Sequence, residues 1–280
     1  MASQVELLAE SLTHIINRGE IEVPMLPEVA NKALSLAQNP DSDASKMAQL
    51  IQSDQSLAGH VMRIANSVAY TPASNLVSLQ QAIARLGMSV IGEIALTAVI
   101  GAKMFNTPGY EQHVEKVWHH ALATSLWSKE IARQCRSNVE VAFLAGLLHS
   151  IGRPAVLQTI LDLAAKENLS LTAADVHYLE NRHWHQVSMA VVNSWQMPAL
   201  VVDAVSHYNE QNSALISSEH AAHINVGARF ATHMLNPDAL DKETLITLPS
   251  LETLNLYQDE AEALLDKTEM VQARLEGLSS

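Results

Sequence analysis

Apolar residues along this chain recur at intervals of three and four. Val5, Leu8, Ala9, Leu12, Ile15 and Ile16 mark one face of an amphipathic helix at the start. Pro24 to Pro27 interrupts it, and a second helix is predicted from about Glu28 to Gln38, ended by Asn39-Pro40. Asp43 or Ser45 can cap a third helix through Ile51. Asp54 can cap a fourth that carries Leu57, Val61 and Ile64. Ser78 to Leu86 forms another, closed by Gly87. Longer helices are predicted at about 109–135, 138–150, 154–166, 184–196, 198–209 and 218–235. No segment alternates apolar and polar residues with the β-branched enrichment of a strand. The pattern predicts an all-α protein.

There is no tandem repeat, low-complexity tract or long Gly/Ser linker, so the organisation is read from helix breaks and charge. An N-terminal amphipathic helix (1–23) is expected to pack on a main domain at 24–235, divided near 104/105. A helical extension follows at 236–280. That extension holds ten acidic residues against three basic ones, a net −7. Its stripe of Ala261, Leu264, Leu265, Val271 and Leu275 suits a helix packed on the body with a solvated acidic face, or else a partner-binding helix.

Composition narrows the function classes. The net charge of −13 argues against an extended nucleic-acid surface or docking on anionic membrane, both of which need clustered Lys and Arg. The one cysteine, Cys135, excludes an internal disulfide framework and a thiolate metal cluster. Glu6 and Glu10 replace the basic region of a signal peptide, and the apolar run from Ile94 to Ala102 is half the ~20 residues of a membrane span. A soluble cytoplasmic protein is expected.

Thirteen histidines are the chemical feature of note. His120, in Trp118-His119-His120-Ala121, sits at the edge of an apolar stripe, whereas His119 is predicted to face water on the side of Glu130. His149 closes the run Ala142 to Leu148. His185 shares a face with Met189 and Val192, and His207 follows Val205-Ser206. Taken alone, each reads more often as a hydrogen-bonded core residue than as a ligand. Together they would suit a metal such as Zn, Fe, Ni or Mn, but their spacing does not join them into a local motif.

Order and composition of several stretches resemble the HDOD family, a relative of the HD metal-dependent phosphohydrolases. They are Leu26-Pro27; Ile51 with Asp54 and Leu57; Arg63-Ile64-Ala65-Asn66-Ser67; Ala82 to Gly87; Val117 to His120; Ala142 to Arg153; and His185 through Trp195 and Pro198 to His207. The resemblance spans about Pro24 to Ala231 and implies a multi-helix HD-like bundle with a signalling or scaffold role. It also implies where a metal would sit. HD hydrolases carry a His … His-Asp … Asp pattern, and here the histidines match His120 and His149. The paired Asp reads Ser150, the later one falls near Asn225 or Gly227, and the usual Lys after Gly reads Arg153. Neutral side chains at both acid positions remove the charge that offsets a cation's lost hydration.

The resemblance with these departures predicts no catalytic residue, with His149 and Ser150 as the HD-equivalent pair. No cofactor is expected, though His120, His149, His185 and His207 leave room for one weakly held Zn, Ni, Fe or Mn ion. Arg153, Arg63 and Asn66 are the ligand-binding candidates. For Arg63 and Asn66 the alternative is a helix end whose side chains satisfy the backbone. Ser150 and His149 do not suit a nucleophile pair, because adjacent helical positions point about 100° apart. Gly87, Gly92 and Gly101 do not form a phosphate-cradling loop. The expected function is a non-catalytic bacterial signalling module that meets a protein partner or a small ligand such as a nucleotide. The alternative is a metal-dependent phosphohydrolase acting on a nucleotide or cyclic dinucleotide, with Arg153 as its phosphate clamp.

Overall fold

The structure is a computed structural model, and it describes residues 4–39, 41–71, 76–101, 104–208 and 218–279. Among these residues every regular element is helical, as the 3.6-residue pattern requires. The chain divides into two compact units. One comprises Met1–Pro24 with Ala102–Ala261, the other Met25–Gly101 with Glu262–Ser280.

The second unit is built on α2 (Glu28–Gln38), α3 (Ala44–Gln52), α4 (Gln55–Ala65), α5 (Leu79–Leu86), α6 (Met88–Val99) and α16 (Thr268–Ser279). Asp43, Asp54 and Ser78 cap α3, α4 and α5 by accepting from the N–H of Lys46, Leu57 and Gln81, so the cap of α3 is Asp43 and not Ser45. Gly87, at φ +87°, both ends α5 and starts α6, and the chain bends by 116° between the two helices. The nearly all-apolar α6 buries Ile91, Ile94, Ala95 and Leu96 among its neighbours. Val271, Leu275 and Leu278 of α16 are buried here, which uses part of the tail's apolar stripe for packing.

The first unit holds α1 (Gln4–Arg18), α7 (Glu111–Gln134), α8 (Val139–Leu148), α9 (Gly152–Lys166), α10 (Ala173–Ser194), α11 (Ala199–His207) and α12 (Glu219–Leu235). It continues through α13 (Lys242–Leu245), α14 (Pro249–Thr253) and the start of α15 (Gln258–Leu265). Leu8, Leu12 and Ile16 of α1 are buried, with α1 packed on α9 and α10. The central stack is α8, α7 and α12. It is close because Gly146 and Gly227 leave no Cβ to meet Ser125 and Ser128 of α7. Val139–Lys166 is long and apolar enough to cross a membrane, but 83% of its most apolar window is buried inside the protein, as in a core helix.

Helix α10 departs from expectation. It begins at Ala173, not near residue 184, because Thr172 and Asp175 form a reciprocal capping box. The polar run Asp175 to Arg182 hides that helix from a reading based on apolar spacing.

Candidate ligand-binding site

The site begins at a helix junction. α8 ends at His149, Ser150 and Ile151 make a turn, and α9 starts at Gly152. Gly152 is obligatory there. A Cβ at this position would lie 2.0 Å from the Trp184 carbonyl oxygen on α10, and the Gly152 N–H donates to Ser188 Oγ at 2.9 Å. This close approach of α9 to α10 sets Arg153 over the Trp184 ring, 4.6 Å from its centroid.

A cavity of about 940 Å³ opens beside this junction, lined by His113, Glu115, Lys116, His119 and His120 of α7, by His149, Ser150 and Arg153, and by Trp184 and Leu235. His120 and His149 come together in its wall, with ring centroids 6.3 Å apart. His119, half-buried, also lines this open cavity, whereas Glu130, expected to share its water-facing side, is buried. The concavity takes in more of the α7 surface than the narrow apolar stripe implies.

Hydrogen-bond partners fix what the two imidazoles can do. His149 Nδ1 faces the Gly146 carbonyl at 2.7 Å and must carry the proton, so its Nε2 holds the lone pair. Burial, then the neighbouring His120, pushes the His149 pKa down to about 3, so the ring is neutral near pH 7. The Thr232 hydroxyl donates to the Ala228 carbonyl and therefore accepts from His120 Nε2, 3.0 Å away. Ser150 Oγ is buried and has no hydrogen-bond partner.

The other sequence candidates are placed elsewhere. His185 Nε2 donates to the Val205 carbonyl at 2.9 Å, and half-exposed His207 donates Nδ1 to Asp203 at 3.0 Å; neither lines the cavity. Arg63 reaches His60 Nδ1. Asn66 donates to the carbonyls of Met62 and Leu76 and accepts from the Leu76 N–H, which spends its amide on closing a loop. The backbone reading of Asn66 replaces the ligand reading.

Reading by motif missed Glu180, His113, Trp184 and Thr232. Glu180 on α10 is 1% exposed. Both its carboxylate oxygens accept from His113 Nε2, at 3.0 and 2.9 Å, and Oε1 also accepts from Arg153 Nη1 at 3.2 Å. Burial opposes its charge, but the His113 hydrogen bond and the charges of His113 and Arg153 hold its pKa below the ordinary carboxylate range. A signal existed, since Glu180 falls in the stripe of Val176, His183 and Val187. A carboxylate among buried positions needs cationic partners.

The donors present do not fit the metal of an HD hydrolase. Among the described residues no three His, Cys, Asp or Glu side chains are placed to hold an ion. His120 spends its Nε2 proton on Thr232, Ser150 supplies no carboxylate, and Asn225 Oδ1 accepts from Ser250 Oγ at 2.7 Å. At Gly227 a Cβ would lie 2.4 Å from Ser128 Oγ, which leaves no room for an acid.

The family model described as HDOD domain matches residues 23–211, and the chain belongs to the HDOD family. Among solved structures it is similar to a candidate metal-dependent phosphohydrolase from Shewanella amazonensis SB2B, at 18% identity and TM-score 0.71, covering 98% of this chain and 100% of that one. An HDOD domain protein with unknown function from Geobacter sulfurreducens matches at 21% identity and TM-score 0.70 over 98% and 99%. A candidate signal transduction protein from Marinobacter aquaeolei VT8 matches at 19% identity and TM-score 0.65 over 99% and 67%. At these identities the likeness establishes the fold. A search of curated proteins returns no significant match.

Proposed function

We propose that this HDOD protein is a non-catalytic bacterial signalling module, cytoplasmic, that works by binding a small ligand in the His120–His149 cavity and passing the result to a protein partner. One observation carries the reading. By the resemblance, the positions where HD hydrolases hold metal with aspartate read neutral Ser150 and, for the later one, either Asn225, whose amide oxygen is engaged by Ser250, or Gly227, where a Cβ would meet Ser128 Oγ. Bound water must be acidified to a pKa near ~7 for metal-assisted hydrolysis, and neutral donors lack the charge to retain the ions that do so. The cavity is kept, with a volume suited to a small organic molecule.

Metal analysis and turnover test this directly. Purified protein incubated with Mn, Fe or Ni should show no stoichiometric metal and no hydrolysis of phosphodiesters or nucleotides. Stoichiometric metal together with hydrolysis abolished by His149→Ala would establish the phosphohydrolase reading instead.

A further inference from the structure

The cavity rim carries a charge arrangement that ligand binding alone leaves unexplained. Arg153 and His113 line the cavity and come from α9 and α7. Both turn to Glu180 on α10, whose side chain is 2% exposed. His177 Nδ1 stands 3.9 Å from the same carboxylate, and Arg153 Nη1 also donates to Asn181 Oδ1 at 3.0 Å. Three helices are thus tied through one buried anion. The guanidinium lies over the Trp184 ring, 4.6 Å from its centroid, and its fork of donors suits a carboxylate or a phosphate.

A second observation points into the same space. Ser150 is 95% buried and lines the cavity, and its buried Oγ lacks any hydrogen-bond partner. Buried hydroxyls are nearly always bonded, so an orphan in a cavity wall marks a place that a ligand atom completes. Next to it, His149 Nε2 offers a lone pair, since Nδ1–H is spent on Gly146. The wall therefore supplies a hydroxyl, an acceptor, and the cations Arg153 and Lys116 against one acid, Glu115.

Resting on the small-ligand reading above, we propose that the cavity receives a small organic anion bearing a phosphate or carboxylate group, and that Glu180 is its intramolecular stand-in. Glu180 neutralises Arg153 and accepts from His113 while the cavity awaits ligand. The incoming anion takes over Arg153 and meets Ser150 Oγ, and the tie between α9 and α10 loosens. Glu180 thus sets a threshold for binding, and its release changes how three helices are joined.

Calorimetric titration of the full chain with inorganic phosphate at low ionic strength tests this. Glu180→Gln removes the competing charge and should tighten phosphate binding by roughly tenfold, the effect of one opposite charge at contact distance. Arg153→Gln should abolish binding in the wild-type and Glu180→Gln backgrounds alike. Should Glu180→Gln fail to fold, ring NMR of the wild type serves. Phosphate should move the His113 and His149 signals, leave His60 still, and lose that effect in Arg153→Gln. Equal or weaker binding by folded Glu180→Gln, or unmoved His113 and His149 signals, overturns the proposal. Either result leaves the non-catalytic reading intact, whereas metal-stimulated turnover would defeat that reading and not the Glu180 effect. A pyrophosphate and acetate series then separates phosphate-bearing from carboxylate-bearing ligands.

Discussion

The Gly152 α-carbon lies so close to the Trp184 carbonyl that the position cannot carry a side chain: a Cβ would sit 2.0 Å from that oxygen and 2.3 Å from the Ser188 nitrogen. Both contacts are backbone, so nothing yields without separating α9 from α10. The junction that carries His149, Ser150 and Arg153 depends on this absence of a methyl group.

Gly152→Ala should therefore destabilise the protein by about 2–3 kcal/mol, the upper range for forced overpacking. A urea midpoint measured by circular dichroism checks it. A midpoint within error of wild type would show that the α9–α10 contact relaxes at little cost.

Acid should unfold the protein through its buried histidines. Burial pushes His149 down to about 3 and His223 down to about 4, against an ordinary value of 6.5. Unfolded rings bind protons below pH 6.5 while the folded ones stay neutral, so stability falls as pH drops through that value. For His223 the loss continues to about pH 4 and reaches about 3 kcal/mol, at 1.36 kcal/mol for each tenfold step. Unfolding free energies at pH 7.5, 5.5 and 4.5 should decline, and His223→Leu should flatten the decline. A flat profile in the wild type contradicts this account.

The imidazole roles are directly measurable. Long-range nitrogen–proton NMR at pH 7.5 should report His149 protonated on Nδ1, as its Gly146 contact requires, with Nε2 bare. His120 should keep a proton on Nε2, bonded to Thr232. Thr232→Val should change the His120 signals and leave the His149 tautomer as it is.

Asn66→Ala should cost about 1–3 kcal/mol, because three hydrogen bonds to Met62 and Leu76 are lost and backbone groups are left unpaired. Its affinity for phosphate should equal that of wild type. A selective loss of affinity with stability intact would restore Asn66 as a ligand-binding residue.

Much of this molecule is legible before folding. Asp54 and Ser78 announce their helices because a cap bonds to a backbone N–H three residues on, an interaction contained in one turn. Leu8, Leu12 and Ile16 reveal a buried face for a similar local reason. His120 and His149 are marked by motif and do meet. His185 and His207 look equivalent to them in sequence, yet each spends its ring on a nearby carbonyl oxygen. The start of α10 is missed because its polar first half bears little apolar signal, and the Thr172–Asp175 box carries it instead.

What the sequence determines alone is the all-helical build, the positions of the breaks, and the neutral residues that stand at Ser150, Asn225 and Gly227. Helix periodicity, capping and residue identity act within a few positions. The tertiary structure decides which histidine faces the cavity, why residue 152 is glycine, and that Glu180 gathers His113 and Arg153 from other helices. Those outcomes turn on burial and on partners 27 to 67 residues apart, where the desolvation of a charge is offset only after the chain has closed around it.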